Sequence, residues 1–179
     1  GLKKQGMEVV FFCGVSPVDT RLSDAGIEVV CLDLNAISTT RSKLFQAQRL
    51  GLWNVDVAKA LDRTIRSTPN ISETVVHVHS WTKSLSSAIG PVVTAPDIRH
   101  VFTMHEYFFA CPNGGFFDYQ RNEICHRDPM SLSCISTNCD SRHASHKAYR
   151  LVRHTVQRQF GKLPKYVRNI IYISALQHK

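Results

Sequence analysis

The chain has 179 residues, enough for one ordinary domain with a buried core. With 43% hydrophobic and 20% charged residues it is neither disordered nor low-complexity, and no apolar run nears the roughly 18 residues of a membrane helix. The net charge of +8 admits anionic partners, and Gly1-Leu2-Lys3-Lys4 leads into strand-like sequence rather than a secretory leader.

In chain order, Met7–Cys13 (MEVVFFC) and Ile27–Leu32 (IEVVCL) are short apolar, β-branched runs. Cys13 and Cys31 sit inside them and read as small buried hydrophobes. Leu50, Trp53, Val57, Leu61 and Ile65 recur at helical spacing, and Pro69-Asn70 ends that helix. Thr74–His79 (TVVHVH) is the third strand. A shorter helix is expected after Ser80, ending at Gly90-Pro91. His100–Met104 (HVFTM) is the fourth strand and Asn169–Ile173 (NIIYI) the fifth. Unbroken apolar runs of this length suit strands covered on both faces. Their alternation with helices predicts an α/β domain with a mostly parallel, Rossmann-like sheet and helices on both faces. There is no internal repeat.

Residues 106–140 form the longest irregular stretch, with Pro112, Gly114-Gly115, Pro129 and four cysteines. So long a loop within a compact domain is functional or held by something. It follows a strand directly, and in open α/β sheets ligands bind beyond the carboxyl ends of strands. Beyond it, Tyr149, Val152, Val156 and Phe160 form a second apolar helical stripe, ended by Gly161 and Pro164. From Ser141 to Arg168 there are eight Lys or Arg and no Asp or Glu, which predicts one basic face. That face is either a solvated helix surface or a docking surface for phosphate, anionic lipid or nucleic acid.

Three constellations carry chemistry. His105, at the end of the fourth strand and followed by Glu106 and Tyr107, can hydrogen-bond a ligand hydroxyl and titrate near neutrality, or can satisfy backbone at a strand end. Alternation places His77 and His79 on one side of the third strand. His79 and Trp81, at its carboxyl end, are placed for substrate, while Trp81 fits core packing equally well. Cys111, Cys125, Cys134 and Cys139 fit structural zinc, two disulfides or free thiols, and His126 can replace one zinc ligand. Glycine-rich phosphate cradles and a G-x-S-x-G elbow are absent. Asn70-Ile71-Ser72 matches a glycosylation acceptor that matters only in a secreted chain.

Taken in order, these segments resemble glycosyltransferase family 4. LKKQGMEVV (2–10) is similar to L-x-x-x-G-H-x-V, with Met7 in place of the usual His. VHVHSW (76–81) is similar to a strand reading D-V-V-H-x-H, and VFTMHEYFFACP (101–112) to x-x-T-x-H-D-x-x-x-x-C-P, with Glu106 for the usual Asp. Cys125, Cys134 and Cys139 resemble cysteines of one branch of the family, and IYISA (171–175) resembles a strand leading to x-x-S. The resemblance implies the N-terminal, acceptor-side half of a two-domain GT-B enzyme, a retaining glycosyltransferase that usually needs no metal. It would move a sugar from a nucleotide-sugar donor, held mainly by a C-terminal domain, to a sugar or lipid-linked acceptor in polysaccharide biosynthesis. His105 then matches the family histidine that hydrogen-bonds the transferred sugar. Glu106, Tyr107, Asn113 and Gly114 lie by the acceptor.

The family's donor-domain E-x7-E is absent, since no two glutamates (8, 28, 73, 106 and 123) are eight apart. The resemblance therefore implies residues 1–179 as a single domain truncated at both ends, inactive in transfer alone, with a gap where a central opening strand belongs. It also implies a cytoplasmic protein, peripheral at the inner membrane face if the basic stretch docks on anionic lipid. The alternatives are a zinc-stabilised, basic nucleic-acid-binding module and a non-catalytic GT-B relative that only binds sugar. Against the first, the cysteines have no known finger spacing.

Overall fold

The computed structural model describes residues 1–34 and 51–178. Leu50, the first residue of the expected helical stripe, lies outside them. The chain opens with a 3-10 turn, Leu2–Gln5, closed by Gly6 at φ +81°, a left-handed conformation that suits glycine. There follow β1 (Val10–Cys13), α1 (Thr20–Asp24), β2 (Glu28–Cys31), α2 (Val55–Arg66), β3 (Val75–His79), a 3-10 turn (Trp81–Lys83), α3 (Ile89–Val93) and β4 (Arg99–Met104). A hairpin of β5 (Phe117–Asp118) and β6 (Glu123–Ile124), then α4 (Leu132–Ser136), α5 (Ala144–Gln159), β7 (Ile170–Tyr172) and a 3-10 turn (Ala175–His178) complete it.

The five expected strands all form, and all five pair in parallel. The α/β class with parallel sheets is therefore observed. The pairing is split, however. β1 bonds β2, while β3-β4-β7 form a separate sheet, so among the described residues no ladder joins β1 to β3. Cys13 and Cys31 are opposite each other in the β1–β2 register. They are only half-buried, because a two-stranded sheet covers them incompletely. Partial burial and its Cys31 neighbour push the Cys13 thiol up to about 11.

The core lies on one face of the β3-β4-β7 sheet. Val78 and Phe102 pack there against Val57, Leu61 and Ile65 of α2 and Ile89 and Val93 of α3. Helix α2 starts where Asn54 caps it, its side chain accepting from Val57 N at 3.2 Å. Asp56 in the first turn and Arg63 and Arg66 in the last suit the helix dipole. The Ser86 hydroxyl accepts from Asn54 N (2.9 Å) and Ala88 N (3.3 Å), tying the starts of α2 and α3 together. In β4, buried His100 faces Ile98 O with Nδ1 (3.2 Å) and accepts from Arg168 N with Nε2 (3.1 Å), which fastens the approach to β7. The opposite face of β3 carries His77 and His79, both exposed.

Two helix expectations need correction. Gly90-Pro91 does not end a helix; it lies in the first turn of α3. Helical backbone N–H groups there have no intrahelical partner, so proline costs nothing at that place. Gly90 is needed for contact instead, since an added Cβ would lie 2.1 Å from Gly161 O just beyond α5.

The second correction concerns α5. The expected stripe is not the buried face: Tyr149 and Val156 are half-buried, and Val152 and Phe160 are 52% and 63% exposed. The face turned inward is polar: Lys147, His154 and Gln157 are buried. The basic stretch is thus not one solvated face. Lys147, Arg150 and Arg153 turn into the protein, while Arg142, Arg158, Lys162, Lys165 and Arg168 stay exposed. The reason is the partner. The 106–140 loop offers α5 a carboxylate, carbonyls, thiols and an aromatic face rather than an apolar surface.

Two outcomes follow from this packing. Gly90→Ala should lower unfolding free energy in urea by about 2 kcal/mol or more, because backbone rather than a flexible side chain fills the space. Burial, reinforced by Arg158 and Arg153, pushes His154 down to about 4. The unfolded chain takes up that proton near the ordinary histidine value while the folded chain does not. Stability should therefore fall as pH drops from about 6.5 toward 4, by on the order of 2 kcal/mol from this group. His154→Gln should flatten that part of the urea-unfolding pH profile; an unchanged profile would contradict the assignment.

Candidate functional site

Strands β3 and β4 end side by side, with His79 opposite Thr103 in the register. Two residues further on, the chain leaves β4 at His105. The site forms where these carboxyl ends diverge. A small open cleft lies there between Ser80–Thr82 on one side and Phe102–Glu106 with Phe108 and Phe109 on the other.

The histidines meet. His79 Nδ1 and His105 Nε2 are 2.9 Å apart, and His77 Nε2 lies 2.7 Å from Thr103 Oγ1. His77 and His79 stack with ring centres 4.0 Å apart. Partial burial lowers the His79 pKa, and the neighbouring His77 and His105 lower it further. A single proton shared between His79 and His105 leaves the outer nitrogens, His79 Nε2 and His105 Nδ1, as one donor and one acceptor. Changing the tautomer of both rings together exchanges the two roles.

Two further features were not legible in the sequence. Ser80, the cap of the turn after β3, adopts φ +31°, ψ +48°, a left-handed conformation costly for a residue with a Cβ. Thr82 is 5% exposed, and its hydroxyl has no hydrogen-bond partner among the described residues. An unpaired buried hydroxyl costs stability, so it marks a place where a ligand group would be welcome.

The other expected site residues are placed as follows. Trp81 is 6% exposed and belongs to the core cluster, near Phe109 at 6.3 Å between ring centres; it forms a wall rather than an open stacking platform. Glu106 is half-buried in the cleft wall, near enough to the Arg153 guanidinium to act on it electrostatically. Tyr107 N donates to Gly114 O at 3.0 Å, closing the turn after His105. Gly114 has φ +78°, and a Cβ there would meet the Phe108 ring at 2.4 Å. Asn113 is buried, with Nδ2 donating to Cys139 O at 3.0 Å and its own carbonyl accepting from Arg150 Nη1 at 3.2 Å. Asn113 and Gly114 thus shape the loop from within.

All six cysteines are free. Cys125 Sγ accepts from Arg127 Nη1 at 3.5 Å, and that guanidinium also reaches buried Asp118 at 3.0 Å. Cys134 and Cys139 border the Lys147 ammonium, and Cys111 is close enough to act on it electrostatically. Among the described residues no group of three or more His, Cys, Asp or Glu is arranged to hold a metal ion. A cationic ammonium among the thiols does not fit a zinc ion in the same place. The loop is held by other means: Asp118 accepts from Gln120 N and Arg121 N, and Arg150 Nε contacts Asp140 Oδ2 at 2.6 Å. Among the described residues no helix is long and apolar enough to cross a membrane.

No family model matches this sequence, and neither a curated protein nor a solved structure does so. The geometry itself can be tested by NMR titration of the histidine rings. His79 should titrate below an ordinary histidine, and His105→Ala should move it upward by removing one of the neighbours that disfavour its charge. A His79 resonance unmoved by that substitution would mean the rings are apart in solution.

Proposed function

We propose that the chain is the N-terminal, acceptor-side domain of a retaining family 4 glycosyltransferase of GT-B fold. In this reading a nucleotide sugar held by a second domain donates to a sugar or lipid-linked acceptor. The observation that carries it is the His79–His105 pair at the carboxyl ends of two adjacent parallel strands. Sugar hydroxyls both donate and accept, and so does this pair. The unpaired Thr82 hydroxyl and the aromatic wall of Phe108 and Phe109 suit the same ligand class.

In the reaction, His105 would hydrogen-bond the transferred sugar and stabilise charge as its bond to the nucleotide breaks. Glu106 and Tyr107, at the mouth of the loop, would meet the acceptor. The five exposed cations between Arg142 and Arg168 remain for an anionic membrane surface. A nucleic-acid module is the weaker reading, since three of the eight cations are spent inside the protein.

The natural full-length protein, assayed for nucleotide release from a panel of nucleotide sugars, tests this. His105→Ala should lower turnover by about 10²–10³, the loss typical of a donor to developing charge. Full turnover in the variant would refute the assigned role. Sugar binding without turnover by the wild type would make the protein a non-catalytic relative.

A further inference from the structure

Lys147 is 4% exposed, in the first turn of helix α5, and among the described residues its charge is influenced by thiols rather than by a carboxylate. Its Nζ lies 3.2 Å from Cys139 Sγ and 3.7 Å from Cys134 Sγ. Lysines are almost never buried unless paired, and here the pairing groups are thiols. An amine and a thiol held in contact, dry and without a competing carboxylate, are placed to be joined through oxygen.

We infer that Lys147 and Cys139 are a covalent cross-linking site, closed by dioxygen as a lysine–cysteine N–O–S bridge. The balance is R–S⁻ + R′–NH₃⁺ + O₂ → R–S–O–NH–R′ + H₂O. The new bonds are S–O and O–N, the O–O bond breaks, and the second oxygen leaves as water with two of the ammonium protons. Sulfur and nitrogen each give up two electrons, and dioxygen takes all four. Thiol reductants reverse the link. Cys134, 3.7 Å from the same nitrogen, is a neighbour and not a requirement. The bridge would staple α5 to the 106–140 loop, whose first residues line the cleft. This inference is independent of the sugar-transfer reading.

The experiment is peptide mass spectrometry of the protein purified in air, digested with trypsin without reductant. Cys134 and Cys139 share tryptic peptide 128–142, and a blocked Lys147 stays inside peptide 143–150. The expected product is these two peptides joined, heavier than their sum by one oxygen and lighter by two hydrogens. Dithiothreitol should release both. Cys139→Ser and Lys147→Arg should abolish the product, while Cys134→Ser should retain it. Three results would overturn the inference. One is a Cys134–Cys139 disulfide, seen as two hydrogens lost within 128–142 while 143–150 is recovered unmodified. Another is zinc bound at one equivalent with Lys147 free. The third is thiols that still react fully with Ellman's reagent after prolonged aeration.

Discussion

The structure depends on how the polar face of α5 is neutralised against the loop at 106–140. Burying Lys147, Arg150 and Arg153 removes three cations from water, and each must be compensated locally or the helix would turn over. Arg150 has the Asp140 carboxylate and the Asn113 carbonyl. Arg153 lies 4.6 Å from the centre of the Phe108 ring. Lys147 has the thiols, and Gln157 donates to Phe108 O at 2.9 Å. These contacts run from Phe108 to Asp140, so one helix face holds nearly the whole loop. That accounts for a loop of such length being ordered with little regular structure of its own: a hairpin of two two-residue strands and one short helix.

The same arrangement bears on the cleft. Residues 105–109 leave β4 and at once meet α5, through Phe108 and through the reach of Arg153 toward Glu106. His105 is therefore anchored on both sides, by the sheet before it and by the helix-bound loop after it. His79 is set by the β3–β4 register. Neither histidine depends on the β1–β2 pair for its position, so the split between the two sheets leaves the site intact.

Strands were the most legible part of the sequence, because a β-branched apolar run such as Val75–Val78 or Val101–Phe102 has few other uses. Helix α2 was also legible: Val57, Leu61 and Ile65 are apolar, periodic and buried as expected. Helix α5 was not, although its stripe of Tyr149, Val152, Val156 and Phe160 looked equally sound. A periodic stripe shows which residues share a face, while the partner decides which face is buried. Lys147, Arg150, His154 and Gln157 have helical spacing too, and the loop they meet is polar. The cysteines show the same limit, since their spacing could not reveal that Lys147 would stand among them. For the site, both His79 and His105 were marked by their strand ends. Their mutual contact, and the unpaired Thr82 hydroxyl, required the register and the turn geometry.

The chemistry of the cleft follows from what the histidine pair can and cannot offer. Two imidazoles 2.9 Å apart share a proton poorly if both are charged, and the lowered pKa of His79 has that origin in part. With both rings neutral the pair presents one donor and one acceptor rather than fixed positive charge. A phosphate or nucleic-acid backbone, which only accepts, would gain little from such a surface. A polyhydroxyl ligand uses both halves in either tautomer. The exposed cations of α5 and its C-terminal extension lie on a different part of the chain from this cleft. In the proposed reading that separation puts a hydroxyl-bearing group at His105 and any anionic surface against the exposed flank from Arg158 to Arg168.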